Sequence, residues 1–298
     1  MARWSTMRGS VVALVAVTAL VVAVPQPASG DRTRAPRAVL VGAGDIAACP
    51  PTGATATAAL VASIPGTVFT LGDNVQGVGT PSEYAGCYEP TWGAFRSRTR
   101  PAPGNHDYRQ PGAGPYFDYF GAAAGPRGAG YYSYDAGSWH VVVLNSNCDA
   151  VGCDAGSAQN AWLRADLALN ASRCTLAYMH HPRFSVGFFG NNTSVTPLWQ
   201  TLYAAGAELV LSGHDHNYQR FRPMRPNGTR DLAAGIVQIV AGTGGYAHGA
   251  ANRTDSNLVA KNTTTFGVVR LTLEAGGASV RYLSTDGSYS DTTWIACH

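Results

Sequence analysis

The stretch Glu208-Leu209-Val210-Leu211-Ser212-Gly213-His214-Asp215-His216 decides how the chain is read. An apolar, β-prone run leads into a glycine, and two histidines stand two residues apart directly after it. Taken as a buried strand, the run turns at Gly213 and leaves both imidazoles on the loop beyond. Strand ends of α/β sheets are where ligand sites collect. A lone His-x-His on a loop is equally compatible with surface histidines, so the rest of the chain must decide.

Four more stretches share this form. Val39-Leu40-Val41 runs into Gly42-Ala43-Gly44-Asp45, and Val68-Phe69-Thr70-Leu71 into Gly72-Asp73-Asn74. Arg100-Pro101-Ala102-Pro103 precedes Gly104-Asn105-His106-Asp107, and Leu176-Ala177-Tyr178-Met179 precedes His180-His181-Pro182. In most of them a glycine permits a sharp turn, and a carboxylate, amide or imidazole follows at once. Asp, Asn and His without sulfur suit zinc, manganese or iron better than copper(I) or an iron–sulfur cluster. The set is too large for one ion and sufficient for two. Any single stretch has an ordinary explanation, such as Asp45 or Asp73 capping a helix. Five at successive strand ends point to a site.

Apolar runs at Ala38–Val41, Thr67–Leu71, Trp139–Asn145, Thr175–Met179, Leu209–Leu211, Ile236–Ala241, Gly267–Leu273 and Ala278–Tyr282 are expected to be strands. Helical patterns occupy Ala54–Ser63, Ser157–Asn170, where Ser157 is placed to cap, and Pro197–Ala205. Tyr131–Tyr134 with Trp139 fit a hairpin, and Tyr116, Phe117, Tyr119 and Phe120 fit core packing. Alternating strands and helices with a β-rich end indicate one α/β domain containing a partly antiparallel sheet system. Gly242-Thr243-Gly244-Gly245 lacks the Lys-Ser/Thr of a phosphate-binding loop and reads as a tight turn.

Only 13% of residues are charged and the net charge is +3, too little to imply nucleic-acid or membrane binding. Residues 1–30 carry Arg3 and Arg8, the apolar run Val11–Val24 and the small residues Ala28-Ser29-Gly30, the order of a secretory signal. The run is shorter than the roughly 20 residues of a membrane span, so no lasting anchor is expected. Residues 31–37 read as a flexible lead-in. Six cysteines in an exported chain point to disulfides, and six allow about 15 connectivities. The pairing expected here is Cys49–Cys87, Cys148–Cys153 and Cys174–Cys297.

The order Gly-Asp, Gly-Asp-Asn, Gly-Asn-His-Asp, His, Gly-His-x-His resembles that of the calcineurin-like metallophosphoesterases. Two details resemble their purple acid phosphatase branch. Asp45 is followed by Ile46-Ala47, without the histidine that many other members carry two residues on. Gly213-His214-Asp215-His216-Asn217-Tyr218-Gln219-Arg220 is similar to the branch's Gly-His-x-His-x-Tyr-x-Arg. The resemblance covers Ala38 to about Ala241. It implies a four-layer α/β/β/α sandwich of two mixed β-sheets flanked by helices, here over residues 38–298.

The resemblance also implies two divalent or trivalent metal ions, drawn from iron, zinc and manganese. Asp45 and His216 would hold the first, Asn105, His180 and His214 the second, and Asp73 would bridge both. His106 would lie beside the phosphate with Asp107 fixing its orientation, and His181 would support the site from behind a ligand. In the purple branch a tyrosine three residues after the second Asp ligates ferric iron and gives the colour. This chain has Gln76 there, so no purple colour is expected, and Gln76 or water would complete the first site.

The expected function is a secreted dinuclear phosphoesterase that hydrolyses small phosphate monoesters by attack of a metal-bound hydroxide. A phosphodiesterase or nucleotidase on the same centre is the runner-up, and a non-catalytic metal- or phosphate-binding protein is the reading from another class. Arg183, Tyr218 and Arg220 stand close in sequence to the ligands and are the candidate substrate contacts. Arginine suits phosphate through its paired donors, although Arg220 could equally brace a loop carboxylate.

Overall fold

The computed structural model describes residues 37–50, 53–171 and 173–298, together with Met1, Ala2 and Trp4. The expected secretory signal, apart from Met1, Ala2 and Trp4, and the lead-in, apart from Arg37, lie outside the described residues. In chain order the strands are β1 (Ala38–Ala43), β2 (Thr67–Leu71), β3 (Thr99–Ala102), β4 (Tyr132–Ala136), β5 (Trp139–Val143), β6 (Cys174–Tyr178), β7 (Leu209–Ser212), β8 (Tyr218–Phe221), β9 (Val237–Ala241), β10 (Leu258–Asn262), β11 (Gly267–Glu274), β12 (Gly277–Ser284) and β13 (Ser290–Ala296). One sheet has the order β13-β12-β11-β1-β2-β3 and the other β10-β8-β9-β7-β6-β5-β4. Both are mixed. β1, β2 and β3 run parallel, as do β5, β6, β7 and β9, whereas β11–β13 form antiparallel pairs.

Side chains along a strand alternate between faces, and here both faces are covered. Leu40, Phe69 and Leu71 of the first sheet pack with Val141, Leu176, Leu209 and Ile239 of the second in one cluster, so the sheets lie face to face. Their neighbours point outward. Val41 and Val68 meet Ala54 and Val61 of helix Ala54–Ala62, with Trp92 and Tyr116. Val142, Ala177 and Val210 meet Leu163 and Leu167 of helix Ala158–Leu169 and Trp199 of helix Thr196–Ala204. The result is the expected α/β/β/α sandwich. Burial on both faces explains why these strands read as unbroken apolar runs instead of alternating ones.

Ser157 caps its helix by accepting the Asn160 N–H. Tyr116, Phe117 and Phe120 are buried in the core, as expected. All three expected disulfides are formed. Among the described residues no helix is long and apolar enough to cross a membrane.

Beneath helix Ala158–Leu169, His140 is buried between two carboxylates, with Nε2 2.6 Å from Asp166 and Nδ1 3.4 Å from Asp135. Burial alone would lower the His140 pKa, but hydrogen bonding and attraction from Asp166 and then Asp135 outweigh it and raise it. Burial likewise works against Asp166, yet the bonds from His140 and Ser133 hold its carboxyl below the ordinary value. A raised His pKa contributes stability that is complete below the unfolded value and fades as pH rises through the folded one. The depressed Asp166 pKa contributes above its unfolded value and fades as pH falls through its folded one. His140→Gln is therefore expected to cost about 1.5–3 kcal/mol near pH ~5.5, the range for hydrogen bonds to charged groups, and clearly less near pH ~9. Urea unfolding of both proteins at the two pH values checks this; an equal loss at both would contradict it.

Candidate metal centre

The five loops meet at the C-terminal ends of the parallel strands. Backbone hydrogen bonds zip the first two together: Asp45 N to Gly72 O (3.1 Å), Ile46 N to Asp73 O (3.0 Å) and Ala47 N to Asn74 O (3.1 Å). Gln76 N then returns to Ala47 O at 2.9 Å, which sets Gln76 opposite Asp45. Asp45, Asp73 and His214 hold the left-handed region, with φ of 59°, 48° and 71°. Such strain costs on the order of 1–3 kcal/mol per residue and concentrates at functional sites. Two glycines are sterically required. A Cβ on Gly104 would lie 2.1 Å from Asp73 Oδ1, and one on Gly213 would lie 2.7 Å from Asp45 Oδ2.

Asp45, Asp73, Asn105, His180, His214 and His216 are thereby brought together. His180 Nε2 stands 3.0 Å from Asn105 Oδ1, 3.2 Å from His214 Nδ1 and 3.3 Å from Asp73 Oδ2. On the other side of Asp73, His216 Nε2 is 3.3 Å from Asp45 Oδ1. Ligands of a common ion at bond lengths of about 2.0–2.2 Å lie roughly 2.8–3.6 Å apart in tetrahedral or octahedral arrangements. His180 Nδ1 is 2.8 Å from the Leu71 carbonyl, an acceptor only, so Nδ1 carries a proton. Against burial, Asp73 and then Asp45 raise the ring's pKa to about 9, and a bound metal ion would take the place of the Nε2 proton. Burial would raise the Asp45 pKa, but the hydrogen bond and charge of His216 bring it to about 2.

Gln76 is buried beside Asp45, with Nε2 3.3 Å from Asp45 Oδ1. Its Oε1 has no hydrogen-bond partner. The donor set and this orphaned oxygen fit metal ions.

His106 sits at the edge of the cluster. Its N–H donates to Asp73 Oδ1 (2.8 Å), its Nδ1 lies 2.8 Å from the Gly77 carbonyl, and its Nε2 lies 3.9 Å from Asp73 Oδ2. Asp107 differs from expectation. Its carboxylate is fully buried and accepts from Gly104 N (2.8 Å), Asn74 Nδ2 (3.0 Å) and Tyr84 OH (2.6 Å). It bolts the Gly104–His106 turn to the neighbouring loop, and the Gly77 carbonyl, not Asp107, orients the His106 ring. Burial, then the Asp73 charge, push the Asp107 carboxyl up to about 6 against those donors. His181 lies against His180 and His214 and bonds Ser146 Oγ through Nδ1 at 2.9 Å.

Residues 42–218 match the family profile of the calcineurin-like phosphoesterases. The chain belongs to the calcineurin-like phosphoesterase family. Purple acid phosphatase 22 of Arabidopsis thaliana is 32% identical over 127 residues, 41% of this chain and 28% of that protein. Probable purple acid phosphatase 20 of the same plant is 27% identical over 196 residues, 57% of this chain and 45% of that protein. The chain thus spans less than half the length of these curated relatives. Purple acid phosphatase PPD1 from yellow lupin (Lupinus luteus) seeds superposes with a TM-score of 0.73 at 18% identity, covering 88% of this chain and 54% of that one. GAP50, the anchor in the inner membrane complex of Plasmodium, does so with a TM-score of 0.63 at 14% identity, covering 88% and 89%. These two likenesses concern the fold, and the same fold carries an anchor as well as phosphatases. Function has to be argued from the site.

Three residues of this phosphoesterase chain have other partners than the substrate expected for them. Tyr218 is buried and its hydroxyl donates to Asp291 at 2.8 Å. Arg220 forms a paired bond to the same carboxylate, Nε at 2.6 Å and Nη2 at 2.9 Å. The two fasten β8 to β13, so Arg220 braces a carboxylate. Arg183 stacks on Phe184 and donates to the Pro226 carbonyl. Sequence reasoning also missed contributors. Phe189 stacks on His214 with centroids 4.1 Å apart, and Asp215 and Arg253 hold its loop by bonds to Phe189 N (3.1 Å) and Gly187 O (3.0 Å).

Proposed function

We propose that the chain is an exported, metal-dependent phosphatase that hydrolyses phosphate monoesters at a dinuclear centre. The observation that carries this reading is the convergence of Asp45, Asp73, Asn105, His180, His214 and His216, with neighbouring donor atoms 3.0–3.3 Å apart. Asp45 and His216 would hold one ion and Asn105, His180 and His214 the other, with Asp73 shared. Bound there, two such ions would supply an activated water at neutral pH and offset the charge of the phosphate. The chain's own part is positioning and proton handling. Asp73 Oδ1 holds the His106 backbone, Gly77 O holds the His106 ring through Nδ1, and His106 Nε2 lies 3.3 Å from Arg109 Nη2. Acting as the acid, His106 would exchange the Arg109 contact for the departing alkoxide and give it the Nε2 proton. Three disulfides suit an oxidising compartment.

The test compares an aryl phosphate monoester with the corresponding diester on protein loaded with manganese, zinc or iron. Faster monoester turnover is expected; a diester preference would replace this reading by a phosphodiesterase.

Gln76 bears on which metal is used. A half-turn of its amide exchanges nitrogen and oxygen and brings the oxygen to the 3.3 Å separation from Asp45 Oδ1 that Nε2 now has. A neutral carbonyl donor supports ferric iron less than a phenolate does. Iron-loaded Gln76→Tyr is therefore expected to gain a phenolate-to-iron absorption band in the visible that the wild type lacks. The absorption spectra check this, and a band of equal strength in both would contradict it.

A further inference from the structure

A cavity of about 430 Å³ opens beside Asn105 and His181, lined by Tyr108, Ser146, Asn147, Asp149 and Ser194 among others. One wall is Ser146 to Ala150, in the segment after β5 that runs from Asn145 to Cys153 and contains none of the proposed metal ligands. The segment is rigidly built. Gln159 clasps the Asn145 backbone from both sides, accepting from its N–H at 2.8 Å and donating to its carbonyl at 2.9 Å. Asn145 Oδ1 accepts from Asn147 Nδ2 (2.9 Å), and Asn145 Nδ2 donates to Tyr108 OH (2.7 Å). His181 N donates to Ser146 Oγ at 2.8 Å, which ties the wall to the ligand-bearing loop of β6. The turn Cys148–Val151 is stapled by Cys148–Cys153 and carries Asp149, exposed, at the mouth.

We infer that this cavity receives the leaving group and selects a neutral, hydroxyl-bearing alcohol, a sugar or short polyol. The inference rests on the phosphoesterase reading and adds the substrate class. A leaving group carrying further phosphates needs arginine or lysine to receive it. The lining has neither, and Asp149 adds a like charge. An apolar leaving group would strip water from amides and hydroxyls without replacing their hydrogen bonds, which costs affinity. Tyr108, Asn147 and Ser194 offer donors and acceptors that a polyol matches.

The test uses the full chain loaded with manganese and three substrates: phenyl phosphate, a hexose monophosphate and a nucleoside triphosphate. The readout is the ratio of kcat/KM for the hexose ester to that for the triphosphate. Wild type is expected to favour the hexose ester at least about tenfold. Asp149→Lys, and separately Ser194→Lys, should each lower that ratio by about two- to fivefold, the scale of one exposed charge interaction. Both positions are exposed, and circular dichroism confirms folding of each variant. Turnover of phenyl phosphate with a ratio near one, or a ratio that neither lysine moves, would overturn the leaving-group inference and leave the phosphoesterase reading intact. No turnover of any of the three would overturn both.

Discussion

Asp73→Ala is expected to lower kcat/KM for a phosphate monoester by about 10³-fold or more, since losing a metal ion's charge stabilisation costs several kcal/mol. Asp73 stands between the two groups of donors. Its Oδ2 is 3.3 Å from His180 Nε2, and its Oδ1 holds the His106 N–H at 2.8 Å. Removing the carboxylate would take away the oxygen proposed to be shared by both ions, together with the acceptor of the His106 N–H. Bound metal, measured by elemental analysis after dialysis, should fall in parallel from two ions per chain to one or fewer. Two ions retained with activity lost would show that Asp73 serves chemistry rather than metal binding. Retained activity would remove Asp73 from the site.

His106→Ala is expected to lower kcat by about 10²–10⁴-fold, the usual range for a positioned acid, while both ions stay bound. The geometry separates the two effects. The His106 ring lies 2.8 Å from the Gly77 carbonyl through Nδ1, and its Nε2 is 3.9 Å from the nearest Asp73 oxygen, beyond the donor separations within the cluster. The deficit should be larger for an alkyl than for a nitrophenyl ester, because a good leaving group needs little protonation. Equal losses on both esters would turn His106 into a phosphate-holding residue, and loss of metal would make it a ligand.

The sheets and the ligand loops were legible because their signals are local. Burial on both faces leaves continuous apolar runs such as Val68–Leu71, and in most of the five stretches a tight turn calls for glycine just where a candidate ligand follows. β8 was hidden because its interior is polar. Gln219 is fully buried, yet it donates to Asn217 Oδ1 and Ser185 Oγ and accepts from Val186 N. β13 alternates exposed and half-buried residues at a sheet edge and has no continuous apolar run. In the site, residue types announced Asp45, Asp73, Asn105 and the histidines. Partnership could not be read in the same way. Asp107 follows His106 in sequence, but the turn directs its carboxylate to Gly104, Asn74 and Tyr84. Tyr218 and Arg220 follow His216, but their partner, Asp291, is contributed by the last strand. The left-handed backbone at Asp45, Asp73 and His214 falls on residue types that adopt it more readily than most, but nothing in residue type sets these three apart from the chain's other Asp and His residues.

The central claim, that two ions held by these loops drive phosphomonoester hydrolysis, is tested most directly by titrating manganese into chelator-treated protein while following phenyl phosphate turnover. The rate should stay low through the first equivalent, rise with the second and level off at two ions per chain. Full activity at one equivalent, or none at any, would contradict a dinuclear phosphatase.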